Sequence, residues 1–256
     1  MDSWRTGIVQ ADASNIRILG YDVVQLSAKA SFTDLIFLLH RGRLPNEGER
    51  RLLDAILIGG ADHGAGAPSC AAARLAASGN RQSMSAALAA GILTMGEEHG
   101  GAGTRCMEMI AAGLERAGRD AVSIDEAARL TVADARASRS RLAGFGHRVH
   151  TAVDPRVGPM FTMARQYGIA ANGVAFIEAL ERAIAAAIKP LPINIDGALA
   201  ALLHDMGFAP AAGMLIFLIS RTAGLTAEIF EEYTREKPMR VKIPVEYDGP
   251  PPRALD

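Results

Sequence analysis

A handful of side chains able to move protons or grip anions recur at glycine-marked junctions of this chain. The densest group is Gly144-Phe145-Gly146-His147-Arg148, followed by Asp154-Pro155-Arg156. Two glycines let the backbone bend sharply or approach a ligand just ahead of His147. An imidazole there can donate or accept a proton near neutrality, and Arg156, nine positions on, carries a fork that matches a carboxylate. His63 lies in a polar, glycine-rich interruption at 62–69, and His99 is at the centre of another at 96–103. Asp196, in Asn194-Ile195-Asp196-Gly197, opens a helix, a place where Asp commonly serves as a cap. Arg221 stands inside the apolar run 215–225. Placed on the last turn before Gly224 it would offset the helix dipole; buried, it would need an anion such as a ligand carboxylate.

The remaining histidines read differently. His40 lies on an otherwise apolar helix, and His150 and His204 have no glycine junction beside them, so all three read as structural. No histidine shows metal-ligand spacing with a cysteine or carboxylate, and we expect no metal. The sequence has no phosphate-binding glycine loop, no dinucleotide fingerprint after a strand and no nucleophile elbow.

These groups must be positioned by helices, because alanine dominates and most apolar positions fall at helical spacing. Phe32, Leu35, Ile36 and Leu39 form one face of a helix over 31–40. Asn46 caps the next, with Glu49 three residues on and a stripe of Leu52, Leu53, Ile56 and Leu57. Further helices are predicted over 71–77, 81–95, 104–117, 123–142, 157–167, 172–188 and 194–206. Two more, 210–223 and 225–235, are separated by Gly224. Residues 16–26 include a short strand. Met239, Val241, Ile243, Val245 and Tyr247 alternate with polar residues and Pro244, which predicts an edge strand in the tail.

At 256 residues the chain can bury a sizeable core. Its net charge of −1 leaves no polybasic footprint for nucleic acid or anionic membrane, so we expect neither as a partner. The cysteines, Cys70 and Cys106, form no disulfide or metal framework, as suits a reducing compartment. The first fifteen residues hold no apolar signal core, and the apolar run 208–219 is too short to span a bilayer. These features lead us to expect a soluble, cytoplasmic protein.

Several motifs in the same order resemble the citrate synthase superfamily over nearly the whole chain. Gly144-Phe145-Gly146-His147-Arg148 with Asp154-Pro155-Arg156 is similar to its central signature. Phe32, with Leu38-Leu39 and Gly42-x-Leu44-Pro45, resembles its N-terminal helix pair. His99-Gly100-Gly101-Ala102 resembles its first catalytic histidine motif, and Ser220-Arg221-Thr222-Ala223-Gly224 its late arginine motif. Within the superfamily, Asp62-His63-Gly64, Arg74, Gly79 and Ala90-Gly91-x-Leu93-Thr94-x-Gly96 are similar to the citryl-CoA lyase module of ATP-citrate lyase, as is Asn194-Ile195-Asp196-Gly197. The length also resembles that module. The synthases' C-terminal Arg-Pro-Arg is replaced by Lys242-Ile243-Pro244. Two features depart from the lyase or family pattern. His99 matches the synthases rather than the lyase module, and Thr151 stands where synthases carry a cation near the CoA phosphates, with Arg148 as the nearest substitute.

The resemblance implies an all-α, two-domain fold with minor β structure at the termini. A large domain would be built from 1–101 and 207–256, and a small one from 102–206. It implies an enzyme cleaving citryl-CoA to acetyl-CoA and oxaloacetate, with His99, His147 and Asp196 catalytic. His63, Arg156 and Arg221 would hold carboxylates, and Gly144, Phe145, Gly146 and Arg148 would contact CoA. A CoA thioester is substrate, no cofactor is bound covalently, and a homodimer or higher homo-oligomer is expected. The alternatives are a citrate or 2-methylcitrate synthase using the same site, and a non-catalytic acyl-CoA-binding homologue.

Overall fold

The computed structural model describes residues 3–96, 98–147 and 150–254. A small antiparallel meander comes first: β1 (Val9–Ala11), β2 (Ile16–Ile18) and β3 (Tyr21–Asp22), with Val9 opposite Ile18 and Ile18 opposite Tyr21. Asp22 ends it by accepting the backbone N–H groups of Val24 and Gln25, which starts α1 (Val23–Lys29). Everything after that, among the described residues, is helix and loop.

Both capping boxes of the next two helices are closed. Ser31 and Asp34 start α2 (Phe32–Arg41), and Asn46 and Glu49 start α3 (Glu47–Ala61), each pair exchanging side chain and backbone bonds. Leu52, Leu53 and Ile56 of α3 are fully buried, as their spacing predicts. Three helices pack with α3 into one group: α4 (Pro68–Gly79), α5 (Met84–Leu93) and the long α11 (Ala212–Arg235). Arg74 of α4 stitches that group, reaching Glu228 at 2.5 Å, Glu231 at 2.8 Å and Glu232 at 3.0 Å on α11. A second group comprises α6 (Ala102–Arg119), α7 (Ile124–Ala137), α9 (Asn172–Ala187) and α10 (Ile195–Asp205). The short α8 (Val157–Gln166) packs on both α3 and α10.

Helix α10 is the axle. Residues 197–203 are all buried, and the helix touches α3, α6, α8, α9 and α11. Its amphipathicity is lost because it has no solvent face. Its first turn therefore lies where the two groups of helices meet.

Two sequence expectations fail. The predicted break at Gly224 is absent, and α11 runs unbroken through it. A Cβ at Gly224 would lie 2.0 Å from the carbonyl oxygen of Ala61, so the glycine serves close packing of α11 on α3. The resulting 24-residue helix is long and apolar enough to cross a bilayer, yet it carries buried Arg221, Glu228 and Glu232 against neighbouring helices. The tail strand is also absent. Residues 241–247 are irregular and exposed, and pair with no strand among the described residues. Alternation alone cannot make a strand without a partner for its backbone groups. Arg240 pins the tail instead, through a forked pair with buried Glu232 at 2.6 and 2.9 Å.

Candidate active site

The loop before His147 is held by backbone. Gly144 and Gly146 both have positive φ, +90° and +75°. The carbonyl of Gly144 accepts from Asn194 N–H at 3.0 Å, Gly146 N–H donates to Pro192 at 2.8 Å, and Asn194 Nδ2 donates to Gly146 at 2.8 Å. A side chain at Gly144 would meet Cys106 Sγ at 2.7 Å and Gly197 Cα at 2.8 Å. Glycine is required there twice over, for its dihedral and for its contact. This stitching brings His147 to the first turn of α10.

Asn194 is the cap of that helix, its Oδ1 accepting from Gly197 N–H at 3.1 Å. Asp196, two residues later, is thereby released from capping and faces a cavity of about 550 Å³. Crowding by protein atoms desolvates its carboxyl and raises its pKa above the ordinary range, against the pull of Arg156 and Arg221.

Asp154, given no role of its own by the motif, is the hub of this wall. Its side chain is fully buried. Oδ1 accepts from Arg156 N–H at 3.1 Å and Nε at 2.9 Å, and Oδ2 accepts from Arg156 Nη2 at 2.7 Å and from Ile195 N–H at 3.1 Å. One carboxylate thus orients the arginine fork and holds the start of α10. Burial works against its charge, but the hydrogen bonds and charge of Arg156 outweigh it, so its pKa is lowered. The only sequence signal was an Asp two residues before an Arg.

Arg221 has a different setting. It is buried in the middle of α11, away from that helix's own ends, and meets the last turn of α3 and the first turn of α4. Its Nε donates to Gly60 O at 3.0 Å and Nη1 to Ser69 Oγ at 3.4 Å, and its guanidinium lies 5.1 Å from the centre of the Phe217 ring. No carboxylate among the described residues pairs with it.

The loop at 96–101 is closed on itself by three backbone hydrogen bonds between Gly96 and residues 99–101. Gly100, at φ +82°, presses on Phe217, where a Cβ would lie 2.6 Å from the ring. His99 Nε2 is 3.0 Å from Ser69 Oγ, so Ser69 links His99 to Arg221. On the other wall, the backbone N–H of His150 donates to His147 Nδ1 at 3.0 Å. That bond keeps the neutral ring's proton on Nε2. Desolvation, then the neighbouring His150, His63 and Arg156, lower the pKa of His147.

The cavity is lined by His63, His99, His147, Arg156, Asp196 and Arg221 together, with Gly146 and Phe217. Of the three loop residues expected to touch CoA, Gly146 lines this space. Gly144 is buried against α6 and α10, and Phe145 bridges to Ile193; neither lines it. Arg148 lies outside the described residues. His150, read from sequence as structural, sits beside His63 and His147 at the rim.

The profile of the family described as "Citrate synthase, C-terminal domain" matches residues 45–242. The chain belongs to the citrate synthase family. A curated citrate synthase of Haloferax volcanii is 29% identical over 225 residues, 86% of this chain and 56% of the relative. A putative citrate synthase 2 of Mycobacterium tuberculosis is 32% identical over 219 residues, 82% of this chain and 54% of the relative. The chain thus spans about half the length of the curated relatives it matches. Among solved structures, the citryl-CoA lyase from Hydrogenobacter thermophilus superposes with a TM-score of 0.89 at 34% identity, covering 99% of this chain and 97% of that one. The helical architecture is therefore the citrate synthase-like fold.

Proposed function

We propose that this chain is a citryl-CoA lyase, cleaving citryl-CoA to acetyl-CoA and oxaloacetate by proton transfers that require no metal. The observation that carries the reading is the end-to-end likeness to the Hydrogenobacter lyase. It is supported by a cavity that gathers three imidazoles, a buried carboxyl and two guanidiniums around one space.

The reaction breaks the bond between the carbinol carbon and the acetyl methylene. His147 offers Nε2–H to the carbinol oxygen, steadying it as it becomes a ketone; of the two roles open to an imidazole there, its bond from His150 N–H selects the donor. His63, with its ring centre 5.0 Å from that of His147, takes the hydroxyl proton. The bonding pair moves onto the thioester as an enolate, whose oxygen is held by His99. Asp196, whose desolvated site favours the acid form, delivers its proton to the enolate carbon, giving the acetyl methyl. Arg221 and the outer edge of Arg156 hold the oxaloacetate carboxylates. Gly146, Arg148 and the neighbouring loop backbone take the CoA arm.

This reading includes a small domain over 102–206 closing on a large one built from 1–101 and 207–256, which would exclude water from the enolate. It also includes a cytoplasmic homodimer. The second reading, a citrate or 2-methylcitrate synthase, is favoured by the names of the curated relatives. Thiol release separates the two. Supplied citryl-CoA should yield acetyl-CoA and oxaloacetate without free CoA, whereas stoichiometric thiol from acetyl-CoA plus oxaloacetate would establish a synthase. Asp196→Asn should lower turnover by about two to four orders of magnitude. Cleavage should also decline as pH rises through the raised pKa of Asp196, since the acid form is the donor. An Asp196→Asn variant that keeps its rate would remove the carboxyl from the mechanism.

A further inference from the structure

His150 stands behind two of the imidazoles that line the cavity and does not line it itself. Its backbone N–H donates to Nδ1 of His147 at 3.0 Å, and its ring stacks on that of His147 with centres 4.6 Å apart. Its own Nε2 lies 3.3 Å from Nε2 of His63. Among the described residues, that is the one hydrogen bond made by the ring of His63. His63 needs such a restraint, because it sits in an exposed loop after α3, where a Cβ at Gly64 or Gly66 would meet nothing within 4 Å.

Two imidazole nitrogens at hydrogen-bond distance share one proton, so one donates and the other accepts. The cleavage decides which. His147 is committed as a donor, the arginines offer only N–H groups, and His63 is left to take the carbinol proton. For that, His63 must keep a lone pair on Nδ1 and carry its own proton on Nε2. His150 must then accept that N–H through Nε2 and hold its own proton on Nδ1.

We propose that His150 is the positioning residue of this site, holding His147 as a donor through its backbone and His63 as the base through its side chain. The inference rests on the lyase reading, in which His63 is the base. As the carbinol O–H breaks and the Nδ1–H of His63 forms, the bond from His63 Nε2–H to His150 becomes charge-assisted, roughly twice as strong as its neutral form. That gain arises only as the proton moves, so it lowers the barrier rather than tightening the substrate complex. Asp196 gives its proton to the enolate carbon in the same turnover. His63 then releases a proton to solvent and Asp196 regains one, so none is gained or lost overall.

The test pairs His150→Leu, which has no acceptor, with His150→Gln, whose side-chain carbonyl can accept from His63. Both retain the backbone N–H that holds His147. With citryl-CoA, His150→Leu should lower kcat about 10- to 100-fold with KM within about twofold, short of the roughly 10²–10⁴-fold that a general base supplies. His150→Gln should recover most of that loss. Imidazole ¹⁵N shifts of the labelled parent at mildly alkaline pH, assigned by single substitutions, give a reading independent of turnover. His150 should carry its proton on Nδ1, and His63 and His147 on Nε2. His63 should lose its single-tautomer pattern in His150→Leu and keep it in His150→Gln. A proton on Nε2 of His150, an unchanged kcat in His150→Leu, or equal losses in the two variants would overturn the proposal. If the leucine variant does not fold, the parent's ¹⁵N pattern and the glutamine variant decide. A parent that cleaves no citryl-CoA sinks the lyase reading and leaves the tautomers to judge the pairing, whereas an active parent with the opposite tautomers sinks this inference alone.

Discussion

The cavity's two arginines carry the same charge and are held in opposite ways. Arg156 comes with its own anion. Both edges of Asp154 are spent on its fork and on the start of α10, and the pair is neutral before any ligand arrives. Arg221 is more deeply buried, yet its hydrogen bonds go to a carbonyl and a hydroxyl. A buried guanidinium without an anion is costly to keep. The difference divides the labour: Arg156, with Asp154, first of all shapes one wall and leaves only its outer edge for a ligand, while Arg221, which no described carboxylate pairs, is the stronger charge for a ligand carboxylate.

Removing each arginine should therefore hurt a different quantity. Arg156→Gln leaves Asp154 buried without its partner, and breaking such a pair costs about 3–5 kcal/mol of folding stability. The pH dependence sharpens this. In the parent the Asp154 pKa is depressed, so its contribution is present above the ordinary carboxylate range and is lost as pH falls through the folded value. In Arg156→Gln the guanidinium is gone and only the backbone donors of residues 156 and 195 remain. Desolvation, the largest cause acting on Asp154, should then prevail and raise that pKa, so lowering the pH from 7 toward it should stabilise the variant. Urea midpoints of the two proteins between pH 4 and 7 should slope in opposite directions. Parallel slopes would mean that the pair is not what holds this wall.

Arg221→Gln should do the reverse. Loss of a charge-assisted anchor is worth about 2–4 kcal/mol of ligand binding, roughly 30- to 1,000-fold in KM for the carboxylate-bearing substrate. Its melting temperature should hold or rise, because an unpaired buried charge is gone. A variant that melts early with KM unchanged would make Arg221 framework too.

What the sequence disclosed follows from the range of the physics involved. Capping by Asn46 and Glu49 and the stripe of Leu52, Leu53 and Ile56 are local, and they are where they were expected. His63, His99, His147, Arg156, Asp196 and Arg221 were legible through glycine junctions and motif order, and all six line one cavity. What stayed hidden depends on distant partners. Asp154 is only an aspartate beside a proline until Arg156 folds back and α10 arrives from 41 positions on. His150 has no neighbour in sequence to distinguish it, and His63 reaches it across 87 positions. The tail's alternation is real, but a strand also needs an edge to pair with, and none is supplied beside it.

Gly224 is the sharpest case, because two local rules predict opposite signs. As a glycine inside a helix, exchange for alanine should stabilise by about 1 kcal/mol through helix propensity. As a contact, it admits the carbonyl of Ala61 so closely that a methyl group would sit 2.0 Å from the oxygen. That oxygen is backbone and cannot rotate away, so α11 must shift off α3. Overpacking of this kind costs about 1–3 kcal/mol. The net expectation for Gly224→Ala is a lower urea midpoint. The same shift should lengthen the 3.0 Å bond from Arg221 to Gly60 and raise KM severalfold, less than removal of the arginine itself. A gain in stability with KM unchanged would show that the helices do not need this contact and that Arg221 is placed by its own turn of α11 alone.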